Sequence, residues 1–356
     1  MGQLQYTRGK IEMSHVYIVA EIGCNHNGNV DLAYKMVDKA KECGVDAVKF
    51  QTFNSSLLIS KYAPKAEYQI KNTGNQESQL EMTRKLELSH DDYMNLRKYA
   101  QDLGLDVFST AFDDESIDFL YSIKQNVWKI PSGEVTNLPY LRKIAQLEIE
   151  NKKIILSTGM ATIDEINNAL SILNAGTPAE IIILHCNTEY PTEDIDVNVS
   201  AISDLHKAFP NYKIGFSDHS RGFVAPILAL AYDICFIEKH FTLDCNMEGP
   251  DHKASIMPYD LKVLCESVRR AEVIIGDGKK RVTDSERKNK KIARKSIVAK
   301  KQIKKGDIFT EENITCKRPG NGISPMKWDD ILGKVSSKDF EEDQLIECEG
   351  FEWEDN

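Results

Sequence analysis

The chain of 356 residues is short of three things, and each shortage excludes a class of function. No apolar run approaches the ~20 residues that a membrane-spanning helix needs. The first dozen residues, Met1 to Glu12, are polar and carry no apolar core of an export signal, so a cytosolic location and no membrane partner are expected. Excess basic charge is also missing: 45 Lys and Arg stand against 55 Asp and Glu, for a net charge of -10. Nucleic acids are polyanions that select clustered cations, so none is expected as a partner. Paired cysteines are the third absence. Eight cysteines are scattered at positions 24, 43, 186, 235, 245, 265, 316 and 348 with no CxxC spacing, and they read as reduced thiols that mostly pack.

What the sequence does have is a repeated unit from residue 16 to about 275: a short β-branched run, a polar cluster, then a segment with helical periodicity. The runs are Val16–Ala20, Asp46–Phe50, Leu105–Phe108, Val127–Ile130, Lys153–Leu156, Ile181–Leu184, Lys213–Phe216 and Ile234–Ile237. Helical faces follow, as at Val30–Cys43 and Thr162–Leu173. Eight such units over about 260 residues predict a (β/α)8 TIM barrel. A polar cluster ends every run, which favours a closed ring over an open sheet, because an open sheet gathers its site at one switch point. The expected organisation is a disordered leader at 1–13, a barrel over 14–276, a charged linker over 277–295, and a small β-rich unit over 296–356 with a short helix at Trp328–Gly333 and a last strand at Gln344–Cys348. A unit of about 60 residues is small for independent stability and is expected to lean on the barrel or on another subunit.

In a barrel these polar clusters converge on one mouth. His219 and His240 end consecutive runs, a placement that suits two neutral imidazoles holding a divalent metal, although each could instead bond a loop backbone. Lys49 and Lys129, with Thr110, Ser132 and Ser157, fit a phosphate ester or carboxylate; a Schiff-base lysine is the alternative. Glu21 and Glu134 are candidates for moving a proton or binding hydroxyls, or for simply neutralising the lysines.

The segments AEIGCNHNG (20–28), AVKFQTF (47–53), FSTAFD (108–113), KIPSGE (129–134), LSTGM (156–160), LHCNTEYPT (184–192), GFSDHS (215–220), EKHFT (238–242), GPDH (249–252) and KRPGNGISP (317–325) resemble those of the N-acetylneuraminate (sialic acid) synthases, the bacterial enzymes above all. The resemblance implies a TIM barrel followed by a C-terminal antifreeze-like (SAF) domain, in a domain-swapped homodimer. It implies Mn²⁺ or Mg²⁺ at His219 and His240, and phosphoenolpyruvate at Lys49, Thr110, Lys129, Ser132, Ser157, Asn187 and Ser217, with the choice between Asn187 and Thr188 left open. Gln51, Tyr190 and a partner's Arg318 would meet the sugar, and Glu21, Glu134 and Asp251 would serve catalysis. The implied reaction joins phosphoenolpyruvate to N-acetylmannosamine with carbon–oxygen cleavage and release of phosphate; a 2,4-diacetamido sugar, giving legionaminic or pseudaminic acid, is the rival substrate.

Overall fold

A computed structural model describes residues 15–74 and 76–351. The leader expected at 1–13 lies outside them. The chain divides into two compact units, Met1–Asp277 and Gly278–Asn356.

Eight parallel strands form the first unit: β1 (Tyr17–Gly23), β2 (Ala47–Thr52), β3 (Asp106–Ala111), β4 (Val127–Ile130), β5 (Lys153–Ser157), β6 (Glu180–Cys186), β7 (Lys213–Asp218) and β8 (Phe236–His240). A helix follows each strand, from Val30–Cys43 after β1 to Pro258–Ile275 after β8, giving the (β/α)8 barrel. The first helix shows why these segments fold as they do. The Asn29 side chain accepts a hydrogen bond from the Leu32 amide at its start, Gly44 ends it with φ 88°, and Ala33, Met36, Val37, Ala40 and Cys43 bury one face. The helix at Ile163–Asn174 opens on a reciprocal Thr162–Glu165 capping box.

Strand alternation separates two cores. Val19, Ala47, Phe108, Ile155, Ile182, Leu184 and Phe236 fill the ring, while the intervening residues pack outward against the helices. Several of the same inward rows turn polar two residues further on: Val19 gives way to Glu21, Ala47 to Lys49, Phe108 to Thr110, Ile155 to Ser157 and Phe236 to Glu238. The observed strands therefore run past the last apolar residue of most runs read from sequence. In these strand ends the inward residues Glu21, Lys49, Thr110, Ser157 and Glu238 line the mouth.

Ladder hydrogen bonds run in the order β3-β2-β1-β8-β7-β6-β5-β4, which leaves the β3/β4 seam without a ladder. A side chain sutures it. The Gln125 carboxamide accepts from the Ser109 amide at 2.8 Å and donates to the Ser109 carbonyl at 2.9 Å, taking the part of a strand residue. Gln125 is buried, and the Trp128 indole donates to its carbonyl at 3.0 Å.

The second unit pairs β9 (Ser296–Ala299) with β10 (Ile314–Lys317) antiparallel around Ile297, Phe309, Ile314, Ile331, Phe340 and Ile346. A short helix forms at Trp328–Ile331, whereas the strand expected at Gln344–Cys348 is reduced to isolated bridges, Val298 with Leu345 and Cys348 with Phe351. The stretch read as a linker carries a helix, Asp284–Ala293, with a Thr283–Glu286 capping box; its charged face hid the start signal. No helix among the described residues is long and apolar enough to cross a membrane, and all eight cysteines are free thiols.

Replacing Gln125 by Leu strands a buried donor and a buried acceptor on Ser109, and should lower barrel stability by about 2–4 kcal/mol. Urea unfolding followed by circular dichroism measures this; an unchanged midpoint would show that the seam does not depend on the suture.

Candidate active site

The inward polar rows meet in a cavity of about 450 Å³ at the carboxyl ends of the strands. Its floor is a row of alternating buried charges. Lys49 Nζ lies 2.6 Å from Glu21 Oε2 and 3.6 Å from Glu238 Oε1, and Lys129 Nζ lies 3.6 Å from that same Glu238 oxygen. Hydroxyls and an amide complete the row: Lys129 donates to Ser157 Oγ at 2.6 Å, Lys49 to Thr110 Oγ1 at 3.3 Å, and Gln51 to Glu21 Oε1 at 2.9 Å.

Burial and neighbours set the protonation of these groups. Burial pushes Glu21 up to about 7 against the pull of Lys49, so it can hold or release a proton near neutrality. Burial opposes charge on Glu238 and on Lys49, yet each stays on the charged side of its ordinary value: the two lysines hold Glu238 low, and the two carboxylates hold Lys49 high. Lys129 is lowered by burial, with Glu238 acting against it. Asp251 rises to about 6 and Glu134 also rises, both by burial.

His219 on the loop end of β7 and His240 at the end of β8 face each other with ring centroids 5.3 Å apart. The Tyr190 ring lies 4.2 Å from the first and 5.4 Å from the second. Burial takes His219 down to about 4 and His240 well below its ordinary value, so both imidazoles are neutral and keep a lone pair. The His219 Nδ1–H donates to the Asn187 carbonyl at 2.5 Å, which leaves Nε2 as its free base. Among the described residues no cluster of three or more His, Cys, Asp or Glu is arranged as metal ligands. The pair nevertheless fits a cation that keeps open positions. His240 Nδ1 is buried without a hydrogen-bond partner, and Asp251 Oδ2 stands 3.8 Å from it.

Glu21 Oε2 and Glu238 Oε2 are likewise buried without a hydrogen-bond partner; the Lys49 contact to Glu21 is close but misaligned for one. Three such atoms on one cavity mark a site shaped for a polar ligand, because buried polar atoms are otherwise paired.

Alternation also accounts for the support behind the wall. Between Ser217 and His219 on one strand, and between Glu238 and His240 on the next, Asp218 and Lys239 point outward. They form a fully buried ion pair at 2.5 Å; Lys239 also donates to the Ser220 carbonyl, and Asp218 accepts from the Ser220 amide and hydroxyl. This pair ties the two histidine strands together. Above them, Asn25 donates to the Phe241 carbonyl at 2.9 Å and Asn27 to the Glu248 carbonyl at 2.9 Å, stitching the first loop to the last. Gly249 allows the close approach: a Cβ there would lie 2.6 Å from His252. The stitched loops hold Asp251 against Cys24, whose thiol is 3.4 Å from Oδ2.

Of the residues expected at the site, Glu21, Lys49, Gln51, Thr110, Lys129, Ser132, Glu134, Ser157, Tyr190, Ser217, His219, His240 and Asp251 line the cavity. Asn187 does not. Its side chain accepts from the Glu189 amide at 2.8 Å within its own turn, and Thr188 takes the lining position, because Asx turns compete for short amide side chains. Arg318 belongs to the second unit, where it is exposed and its Nε donates to the Ala293 carbonyl. Glu238 reads from the sequence as part of a polar strand end at the mouth but without a role of its own; its place two residues before His240 on an alternating strand puts it in the cavity. The wall formed by residues 53–74 and 76–86, with short helices at Ser55–Leu58, Glu67–Thr73 and Gln79–Arg84, was missed; its helices are too short to show periodicity.

Lysines, carboxylates and neutral imidazoles gathered at barrel strand ends are the equipment of a (β/α)8 enzyme acting on a small anionic substrate. Likeness to known proteins narrows the class. Residues 36–280 match the NeuB family and residues 294–351 the SAF domain, and the chain belongs to the NeuB family. The N,N'-diacetyllegionaminic acid synthase of Campylobacter jejuni is 50% identical over 336 residues, which is 94% of this chain and 99% of that one. The synthase of the same name from Legionella pneumophila is 41% identical over 89% of each chain. The solved N-acetylneuraminic acid (sialic acid) synthetase of Leptospira borgpetersenii is 32% identical, with a TM-score of 0.68 over 78% of this chain and 90% of that one. This ordering reverses the preference for N-acetylmannosamine over a 2,4-diacetamido sugar.

Lys239→Met leaves Asp218 charged, buried and without its cation, and should cost about 3–5 kcal/mol. Adding Asp218→Leu should restore most of that loss. Thermal unfolding of the two variants decides it, and a double variant no more stable than the single one would show that the pair is not a unit.

Proposed function

We propose that the chain condenses phosphoenolpyruvate with the open-chain aldehyde of a 2,4-diacetamido sugar and water, giving a legionaminic-type sugar acid and phosphate. The observation that carries the chemistry is the Glu21–Lys49–Glu238–Lys129 row beside two neutral imidazoles in one cavity. The 50% and 41% identities to the two diacetyllegionaminic acid synthases support the choice of sugar.

In this reading Lys49 and Lys129 meet the anionic groups of phosphoenolpyruvate, with Thr110, Ser132, Ser157 and Ser217 completing its oxygen shell. Thr188 replaces Asn187 in that set. A divalent cation, Mn²⁺ or Mg²⁺, held by His219 and His240 supplies Lewis-acid polarisation of the aldehyde. Carbon 3 of phosphoenolpyruvate attacks the aldehyde carbon, carbon 2 becomes an oxocarbenium centre, and water adds there. The adduct then expels phosphate by breaking the bond between carbon 2 and its oxygen. One proton leaves the water and one is needed on the former aldehyde oxygen. Glu21, with a pKa of about 7 and its Oε2 beside the Lys49 ammonium, is suited to hold that proton between the two steps. Gln51, Glu134, Tyr190 and Asp251 orient the sugar, and Arg318 would come from the partner of a swapped homodimer in the cytosol. Lys49 is held charged between two carboxylates, which disfavours it as a Schiff-base nucleophile.

Phosphate release should require phosphoenolpyruvate together with a 2,4-diacetamido aldehyde, stop on addition of EDTA and resume with Mn²⁺. Oxygen-18 in the bridging position of phosphoenolpyruvate should appear in the phosphate; label retained in the sugar acid would overturn carbon–oxygen cleavage. Glu21→Gln should lower kcat by roughly 10²–10⁴ while leaving the fold intact.

A further inference from the structure

The cavity has two chemically different halves. The floor is charged. The wall contributed by the connection after β2, together with Phe112 just beyond β3, is mostly carbon and neutral amide: Phe53, Leu58, Ile59, Met82, Leu86 and Phe112 offer apolar surface, Gln69 and Gln79 offer amides, and Tyr68 and Thr83 add two hydroxyls. Phe53 and Phe112 meet edge to face with centroids 6.3 Å apart, and Gln79 donates to Gln69 at 3.4 Å, so each kind of group is clustered rather than scattered. The connection is anchored at both sides of the mouth. The Asn54 amide donates to Asp113 at 2.7 Å, and the Asn72 side chain donates to the Pro250 carbonyl at 2.7 Å. Among the described residues lining the cavity, the lysines are Lys49 and Lys129, and both are engaged with floor carboxylates.

We propose that the cavity-lining residues of 53–74 and 76–86, with Phe112, form the specificity element of the enzyme. Resting on the functional reading above, they receive the end of the sugar aldehyde remote from the reacting carbon. The amides of Gln69 and Gln79 pair with an acetamido group there, and the apolar side chains take its methyl and a methyl in place of a terminal hydroxymethyl. A hydroxyl-rich end would surrender water hydrogen bonds to carbon. Among the described residues of this stretch that line the cavity none is a cation, so a phosphorylated end would meet no counter-charge there. The element therefore selects N-acylated, deoxygenated ends, and the floor beneath serves any aldehyde.

The test uses the full-length protein and steady-state phosphate release with two aldehydes, a 2,4-diacetamido-6-deoxy sugar and N-acetylmannosamine. The wild type should favour the first. Ile59→Asn and Gln79→Leu, made separately, should each cut the ratio of kcat/KM for the first over the second by roughly ten-fold or more, without raising KM for phosphoenolpyruvate. Ile59→Leu, which keeps the apolar surface, should hold the wild-type ratio and shows that the position tolerates change. If the wild type prefers the diacetamido sugar but neither variant moves the ratio, or if both aldehydes lose equally, the wall is not the specificity element. If the wild type turns over N-acetylmannosamine alone, the functional reading itself fails.

Discussion

The charge row on the barrel floor is the constraint on which the rest of the structure depends. Four ionisable side chains, Glu21, Lys49, Glu238 and Lys129, are each nearly or fully excluded from solvent. Such burial is tolerable only where opposite charges alternate, since an isolated buried ion costs several kcal/mol. The alternation comes from β1, β2, β8 and β4, so it exists only when the ring is closed in register. A one-residue slip of any of these strands would turn its charge into the apolar layer behind. The ring's tolerances are therefore set by the site, and the Gln125 suture and the Asp218–Lys239 pair lie where a slip would do most harm.

The row is balanced in charge but unsaturated in hydrogen bonds. Glu21 and Glu238 each retain one oxygen that accepts no hydrogen bond, although that of Glu21 lies against the Lys49 ammonium. In the proposed reading, a trianionic substrate entering this neutral row would bring surplus negative charge, and that surplus would favour protonation of the carboxyl whose pKa is already about 7, Glu21. Substrate binding and proton uptake would then be coupled by Coulomb's law. Glu238, held low by two lysines, stays ionised and keeps both cations in place.

The barrel was legible because its signal is repeated: every strand ends an apolar run, and period-two alternation needs only a few residues to show. The floor was legible for the same reason. Once His219 and His240 are placed inward, Ser217 and Glu238 follow by alternation, although Glu238 carried no role of its own beside two more conspicuous neighbours. Loop residues were harder. Asn187 and Thr188 are adjacent, and which of them faces the cavity depends on an Asx turn that spacing does not encode. The Asp284–Ala293 helix was hidden because its sequence is charged on all sides and lacks the apolar stripe that reveals a packed helix. The wall at 53–74 and 76–86 has no period at all, since its three helices are only four to seven residues long.

That difference in legibility has a chemical cause. In the proposed reading the floor performs steps common to any aldehyde joined to phosphoenolpyruvate, so its residue types are dictated by the reaction and recur as dense motifs. The wall would meet only the part of the sugar that does not react. Discrimination there rests on apolar area and on neutral amides, each worth about 1–3 kcal/mol per group and each obtainable from many side chains. A reaction constrains identity at single positions, whereas a surface constrains only composition over a region. On the proposed reading the motifs reported the chemistry and left the choice of sugar to the wall.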